Sequence, residues 1–170
     1  MKISLSRSSV LTALTVAVLL AALPGTIKRL VRTGDPYLLS KQFFQDLLAR
    51  LSGAGRLRFI FQPAVAIFIG WRDGIKDSRV GRPPFLLALV YHPEHRAHFL
   101  RSALASIRDL VAVAIILDVI SQFVMFEKVH PGAALVLGPA LIAVPYSIAR
   151  ALVNRIARGW NRESPISRAG

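Results

Sequence analysis

The stretch Leu110–Phe126, LVAVAIILDVISQFVMF, runs through Glu127-Lys128-Val129-His130-Pro131-Gly132 into Ala133–Ala149, AALVLGPALIAVPYSIA. Each apolar block holds 17 residues, at the lower end of the roughly 17–25 that cross a bilayer as a helix. Pro139 and Pro145 would break a soluble helix, but transmembrane helices tolerate proline where neighbours satisfy the freed carbonyls. The pattern predicts a transmembrane helical hairpin over 110–149.

Working outward, His92-Pro93-Glu94 reads as a helix start, with proline at the first position and an acid beside the positive end of the helix dipole. Phe99, Leu100, Ala103, Leu104 and Ile107 then share one face, with Arg101 and Arg108 off it. Past the hairpin, Arg150, Arg155, Arg158 and Arg162 alternate with Leu152, Val153, Ile156 and Trp160, a basic exit with Trp160 suited to the headgroup level. Residues 163–170 have nothing to bury and read as a disordered tail.

Upstream, Val10–Leu23 follows Lys2, Arg7 and a Ser-rich stretch, the layout of a signal-like segment. No small-x-small processing site ends it, which favours an uncleaved anchor over residues 1–27. Residues 28–58 form a basic segment in which Tyr37, Leu39, Phe43, Phe44, Leu47, Leu48 and Leu51 make the apolar face of an amphipathic helix. Asp35-Pro36 would start that helix, Gly53 and Gly55 would end it, and Lys41, Gln45, Asp46 and Arg50 would form its polar face. Residues 59–162 are read as the membrane domain. Within it, Phe59–Trp71 is too short to span, at about 20 Å of helical rise against about 30 Å of hydrocarbon, and basic residues flank both its ends. It therefore reads as a re-entrant or interfacial helix. Residues 72–84 read as a loop, with Gly74, Gly81 and Pro83-Pro84 as breakers.

Composition agrees with a membrane setting. The chain of 170 residues is 54% hydrophobic, its mean hydropathy is +0.50, and 22 Lys and Arg oppose nine acids for a net charge of +13. Basic residues cluster on the cytoplasmic side of membrane segments, which accounts for the charge without nucleic acid as a partner. The hairpin tip carries only Lys128, whereas arginines crowd both outer ends, so both ends are expected to be cytoplasmic. If the first block also spans, Lys28, Arg29 and Arg32 outweigh Lys2 and Arg7, placing residues 28–108 inside as well. With no Cys, disulfides, thiolate metal sites and a Cys nucleophile are excluded.

Asp118 falls near mid-bilayer, where a carboxylate costs at least about 2.5 kcal/mol on insertion scales and marks an ion path, a proton relay or a helix partner. Gln122 follows one turn on, and Tyr146 or Ser147 of the next helix is the candidate partner. His92, His95 and His98 sweep around their helix rather than converging, and with no second ligand cluster they point to interfacial imidazoles rather than a metal site. Asp73-Gly74 with Arg79 departs from the CDP-alcohol phosphotransferase signature in the spacing of its Arg and in lacking the later aspartates. Arg72, Lys76, Arg79, Arg82, Arg155 and Arg158 are candidates for binding lipid headgroups or phosphate. No P-loop, GxSxG, HExxH or dinucleotide fingerprint is present.

The run Arg58-Phe-Ile-Phe-Gln-Pro63, with Gly70-Trp-Arg-Asp-Gly74, Asp77-Ser-Arg79, Gly81-Arg-Pro-Pro84, His92-Pro-Glu-His-Arg96 and Val153-Asn154-Arg155, resembles a family of small bacterial integral membrane proteins of unassigned activity. The likeness covers about residues 56–160 and implies no catalytic residues. Taken together, the sequence predicts an all-α, multi-pass protein of the bacterial inner membrane. No catalytic residue, metal or cofactor is expected. Its expected role is that of a non-enzymatic accessory or structural component whose basic cytoplasmic face contacts anionic lipid, a protein partner or another copy of itself. The alternative is a membrane-embedded enzyme or carrier acting on a lipid or small ion through Asp118 or the 73–82 segment.

Overall fold

A computed structural model of the chain describes residues 6–34, 37–38, 40–53 and 55–163. Among these, all regular structure is helical: α1 (Arg7–Thr33), α2 (Lys41–Ser52), α3 (Arg58–Arg79), the short α4 (Phe85–Tyr91), a 3-10 turn Pro93–His95, α5 (Arg96–Phe126) and α6 (Pro131–Glu163). Three of them, α1, α5 and α6, are long and apolar enough to cross a membrane. The chain is a multi-pass membrane protein by that criterion.

Local chemistry explains the boundaries. Ser6 caps α1 by accepting from the Ser9 N–H, and Gly34 ends it at φ 69°, a left-handed conformation that glycine adopts without a Cβ clash. Pro24 lies inside α1, a break that lipid-facing helices tolerate. Ser40 caps α2 through the Phe43 N–H, so that helix starts there; the expected Asp35-Pro36 start, Leu39 and the expected tail over 164–170 lie outside the described residues. Pro93 opens a single 3-10 turn rather than the α-helix itself, which begins at Arg96.

One expectation about the helices is corrected. The stretch 72–79 is not a loop, because α3 continues unbroken through Gly74 to Arg79 and is 22 residues long; the short apolar run is only its first part. Gly74 is there for close packing instead. On α2, Phe43 and Arg50 are buried, while Lys41, Gln45, Phe44, Leu48 and Leu51 are exposed, so Arg50 of the expected polar face turns inward beside Phe43. A helix that turns its Arg inward and its leucines outward suits a hydrocarbon surround, where charged side chains seek the protein interior.

The chain divides into two compact units, Met1–Gln62 with Arg108–Ile142, and Pro63–Ile107 with Ala143–Gly170. In the first, α1 runs parallel to α5: Ser8 donates to Asp109 at 2.6 Å, Thr15 reaches the Ala112 carbonyl at 3.5 Å, and Val18 and Leu19 pack on Ile115, Val119 and Ala134. The C-terminal end of α1 therefore lies with the hairpin turn, and Lys28, Arg32, Lys128 and His130 border one groove. This overturns the expectation that residue 28 onward sits across the membrane from the hairpin tip. The Ser8–Asp109 and Thr15–Ala112 contacts set that direction. Close to the turn, Tyr37, Phe43 and Ala133 form a second small core.

In the second unit α3 lies along α6. A Cβ on Gly70 would come within 2.5 Å of the Tyr146 carbonyl oxygen, and one on Gly74 within 2.6 Å of the Arg150 carbonyl oxygen. Gly70-Trp-Arg-Asp-Gly74 is thus a Gly-x-x-x-Gly contact, in which missing side chains let two backbones meet.

Candidate functional site

Each unit encloses its own network of charged and polar side chains. In the first, Asp118 of α5 is 0% exposed. Its Oδ1 is paired with Arg58 and lies 3.5 Å from Arg50 Nη1. Its Oδ2 accepts from Gln122 Nε2 at 2.6 Å, the i, i+4 neighbour that a helix places directly above it. Gln122 in turn accepts from the His130 N–H at 2.7 Å, which ties the hairpin turn down onto α5.

The chain of contacts continues to Tyr37. Its ring stacks on His130 at 3.7 Å, its hydroxyl donates to Asp46 Oδ2 at 2.6 Å, and it accepts from Arg50 Nη2 at 3.4 Å. Two arginines and two aspartates are thereby joined into a charge-balanced set. Removing one member of such a buried set leaves an uncompensated charge, at a cost of about 3–5 kcal/mol. Asp118 does pair with protein, but through Arg50 and Arg58. Tyr146, the expected partner, belongs to the other network.

That second network lies beside the glycine contact. Tyr146 donates its hydroxyl proton to Asp73 Oδ2 at 3.0 Å and accepts from Arg150 Nη1 at 2.8 Å. Arg150 Nε donates to Asp77 Oδ2 at 2.7 Å, Nη2 reaches Ser102 Oγ at 3.3 Å, and the guanidinium lies 4.8 Å above the Phe85 ring. Because α3 is helical here, Asp73 and Asp77 sit one turn apart on its buried face. Arg150 belongs to the stretch expected as a basic exit, yet only 2% of it is exposed.

The same helix geometry puts Arg72, Lys76 and Arg79 on the outer face, at i, i+4 and i+7. All three are exposed. Arg72 and Lys76, each 62% exposed, share one carboxylate, Asp73, at 4.0 and 3.8 Å. Exposed pairs of this kind contribute at most about 1 kcal/mol, so the cations stay available to a ligand. Immediately before them on α3, Val65, Phe68 and Trp71 are exposed too. Arg155 is also exposed. Arg82 and Arg158 are spent differently: Arg82 Nη1 lies 3.6 Å from Asp77, and Arg158 donates to the Gly81 carbonyl. Of the six candidate headgroup ligands, four therefore face outward, one pairs with Asp77 on α3 and one binds the carbonyl of Gly81.

Among the described residues, no group of three or more His, Asp or Glu is placed to hold a metal ion. His98 is exposed, and the His95 side chain lies outside the described residues. Sequence reasoning missed Arg50, Arg58, Asp77 and Arg150 as buried charges. The signal that could have found the second pair was the Gly-x-x-x-Gly spacing, which fixes the inner face of α3.

No protein-family model, curated protein or solved structure matches the chain.

Proposed function

We propose that this chain is a non-enzymatic accessory or structural component of the bacterial inner membrane, and that its outward basic residues hold anionic lipid headgroups. The observation that carries this reading is the outer face of α3, where Phe68 and Trp71 give way over about the next two turns to Arg72, Lys76 and Arg79. Apolar side chains in the acyl region, an aromatic at the interface and cations among the phosphates is the order that a bilayer leaflet demands. Each cation near an anionic surface adds about 1 kcal/mol of attraction, and three on one stripe act together. The buried networks support a structural role as well, since their arginines and aspartates pair in charge between different helices.

Lipid analysis after purification in mild detergent tests this. Changing Arg72, Lys76, Arg79 and Arg155 to Gln should lower the share of anionic lipid that co-purifies, with the deficit shrinking at high salt as the charges are screened. An unchanged lipid complement at low salt would contradict the proposal. A membrane-embedded carrier is the second reading, and Asp118 favours it as a carboxylate within a candidate span, joined through Gln122 to the hairpin turn.

A further inference from the structure

The first unit contains a groove of about 920 Å³ that its buried charge network does not fill, within the roughly 300–1,000 Å³ of typical ligand sites. Its origin is a change in side-chain size along α1. Val18 and Leu19 pack against Ile115 and Val119, but Ala21, Ala22 and Gly25 follow on the groove side and leave space. A Cβ on Gly25 would meet nothing within 4 Å. The opposite wall is apolar, formed by Val119, Ile120 and Phe123 of α5.

The mouth has the opposite character. Lys28, Arg32 and Lys128 stand there against one carboxylate, Glu127. From Val18 to Lys28 the helical rise is about 15 Å, half of the about 30 Å hydrocarbon core, so the apolar trough is one leaflet deep. An apolar trough of leaflet depth under a cationic rim has the shape and charge of a phospholipid with a net negative headgroup. We infer that this groove binds one anionic phospholipid, with an acyl chain between α1 and α5 and the phosphate at Lys28, Arg32 and Lys128. A zwitterionic lipid or an apolar helix from a partner would fill the trough but leave the rim cations uncompensated. The inference shares with the proposed function only the bilayer setting, because none of its residues belongs to the α3 stripe.

Native mass spectrometry of the full chain, offered phosphatidylglycerol or phosphatidylcholine of identical acyl composition, tests it. The wild type should retain one phosphatidylglycerol per chain in preference to phosphatidylcholine. The K28Q/R32Q/K128Q variant should lose about fivefold of that preference for each cation removed. Gly25→Leu, which keeps every cation and fills open space, should lower retention of both lipids. The R72Q/K76Q/R79Q variant should keep the single tightly held lipid even if it loses others, which separates failure of the groove from failure of the stripe. Equal retention of the two lipids by the wild type overturns the inference. So does a preference that survives both groove variants, or one that only the stripe variant abolishes.

Discussion

Arg150 donates through Nε to Asp77 at 2.7 Å, and the two side chains are 2% and 4% exposed, so α6 and α3 share a buried ion pair within a mostly apolar chain. Asp77 sits three residues beyond Gly74, where a Cβ would come within 2.6 Å of the Arg150 carbonyl oxygen. The close approach and the ion pair are therefore one device. Glycine brings the backbones together, and the charged pair is buried beside that contact.

The ion pair should be worth more to keep whole than to keep half. Arg150→Leu is expected to cost up to about 3–5 kcal/mol by taking the buried counter-charge from Asp77, which keeps only the more exposed Arg82 at 3.6 Å. Removing both in R150L/D77L should recover much of that loss. Thermal unfolding in detergent of the two single variants and the double variant measures the coupling, and strictly additive effects would contradict it.

The glycines should behave unequally. Gly74→Ala forces a Cβ into the Arg150 carbonyl at 2.6 Å and is expected to destabilise by about 1–3 kcal/mol, the usual cost of overpacking. Gly25→Ala, where nothing lies within 4 Å, should be neutral or slightly stabilising through helix propensity. Melting temperatures of the two variants should therefore move apart.

The three helices long and apolar enough to cross a membrane, α1, α5 and α6, were legible in the sequence because long apolar blocks carry them. The helical segment 72–79 was not. Its charges are meant for two surroundings at once, Asp73 and Asp77 for the interior and Arg72 and Lys76 for the outside, and such mixing imitates a solvated loop. The burial of Arg50 on α2 was hidden by a similar ambiguity: periodicity identifies an amphipathic helix but not which face is inward when the surround is lipid. The partners of Asp118 come from distant α2 and α3, and no local pattern announces them.

Asp118 should respond in degrees. Asp118→Asn can keep a hydrogen bond to Gln122 but leaves Arg50 and Arg58 without their shared counter-charge, whereas Asp118→Leu loses both. Thermal stability is expected to fall in the order wild type, Asn, Leu. Equal stability of all three would remove any packing role for this carboxylate.

The direction of α1 is open to chemical labelling, since the chain has no Cys of its own. Single Cys residues replacing Arg32 and Lys128, both at the rim of the same groove, should react alike with a membrane-impermeant maleimide in intact cells. Arg155→Cys, at the far end of α6, should show the opposite accessibility. Opposite labelling of the first two positions would contradict the parallel packing of α1 and α5.

The most direct measurement of headgroup binding by α3 uses Trp71, next to Arg72 and one of only two tryptophans in the chain. In a Trp160→Phe background, the chain is reconstituted in vesicles containing equal fractions of phosphatidylglycerol and phosphatidylcholine, with bromine on the acyl chains of one or the other. Brominated phosphatidylglycerol should quench Trp71 more strongly, and the difference should vanish when Arg72, Lys76 and Arg79 are changed to Gln. Equal quenching by the two lipids in the unchanged stripe would contradict the proposed role.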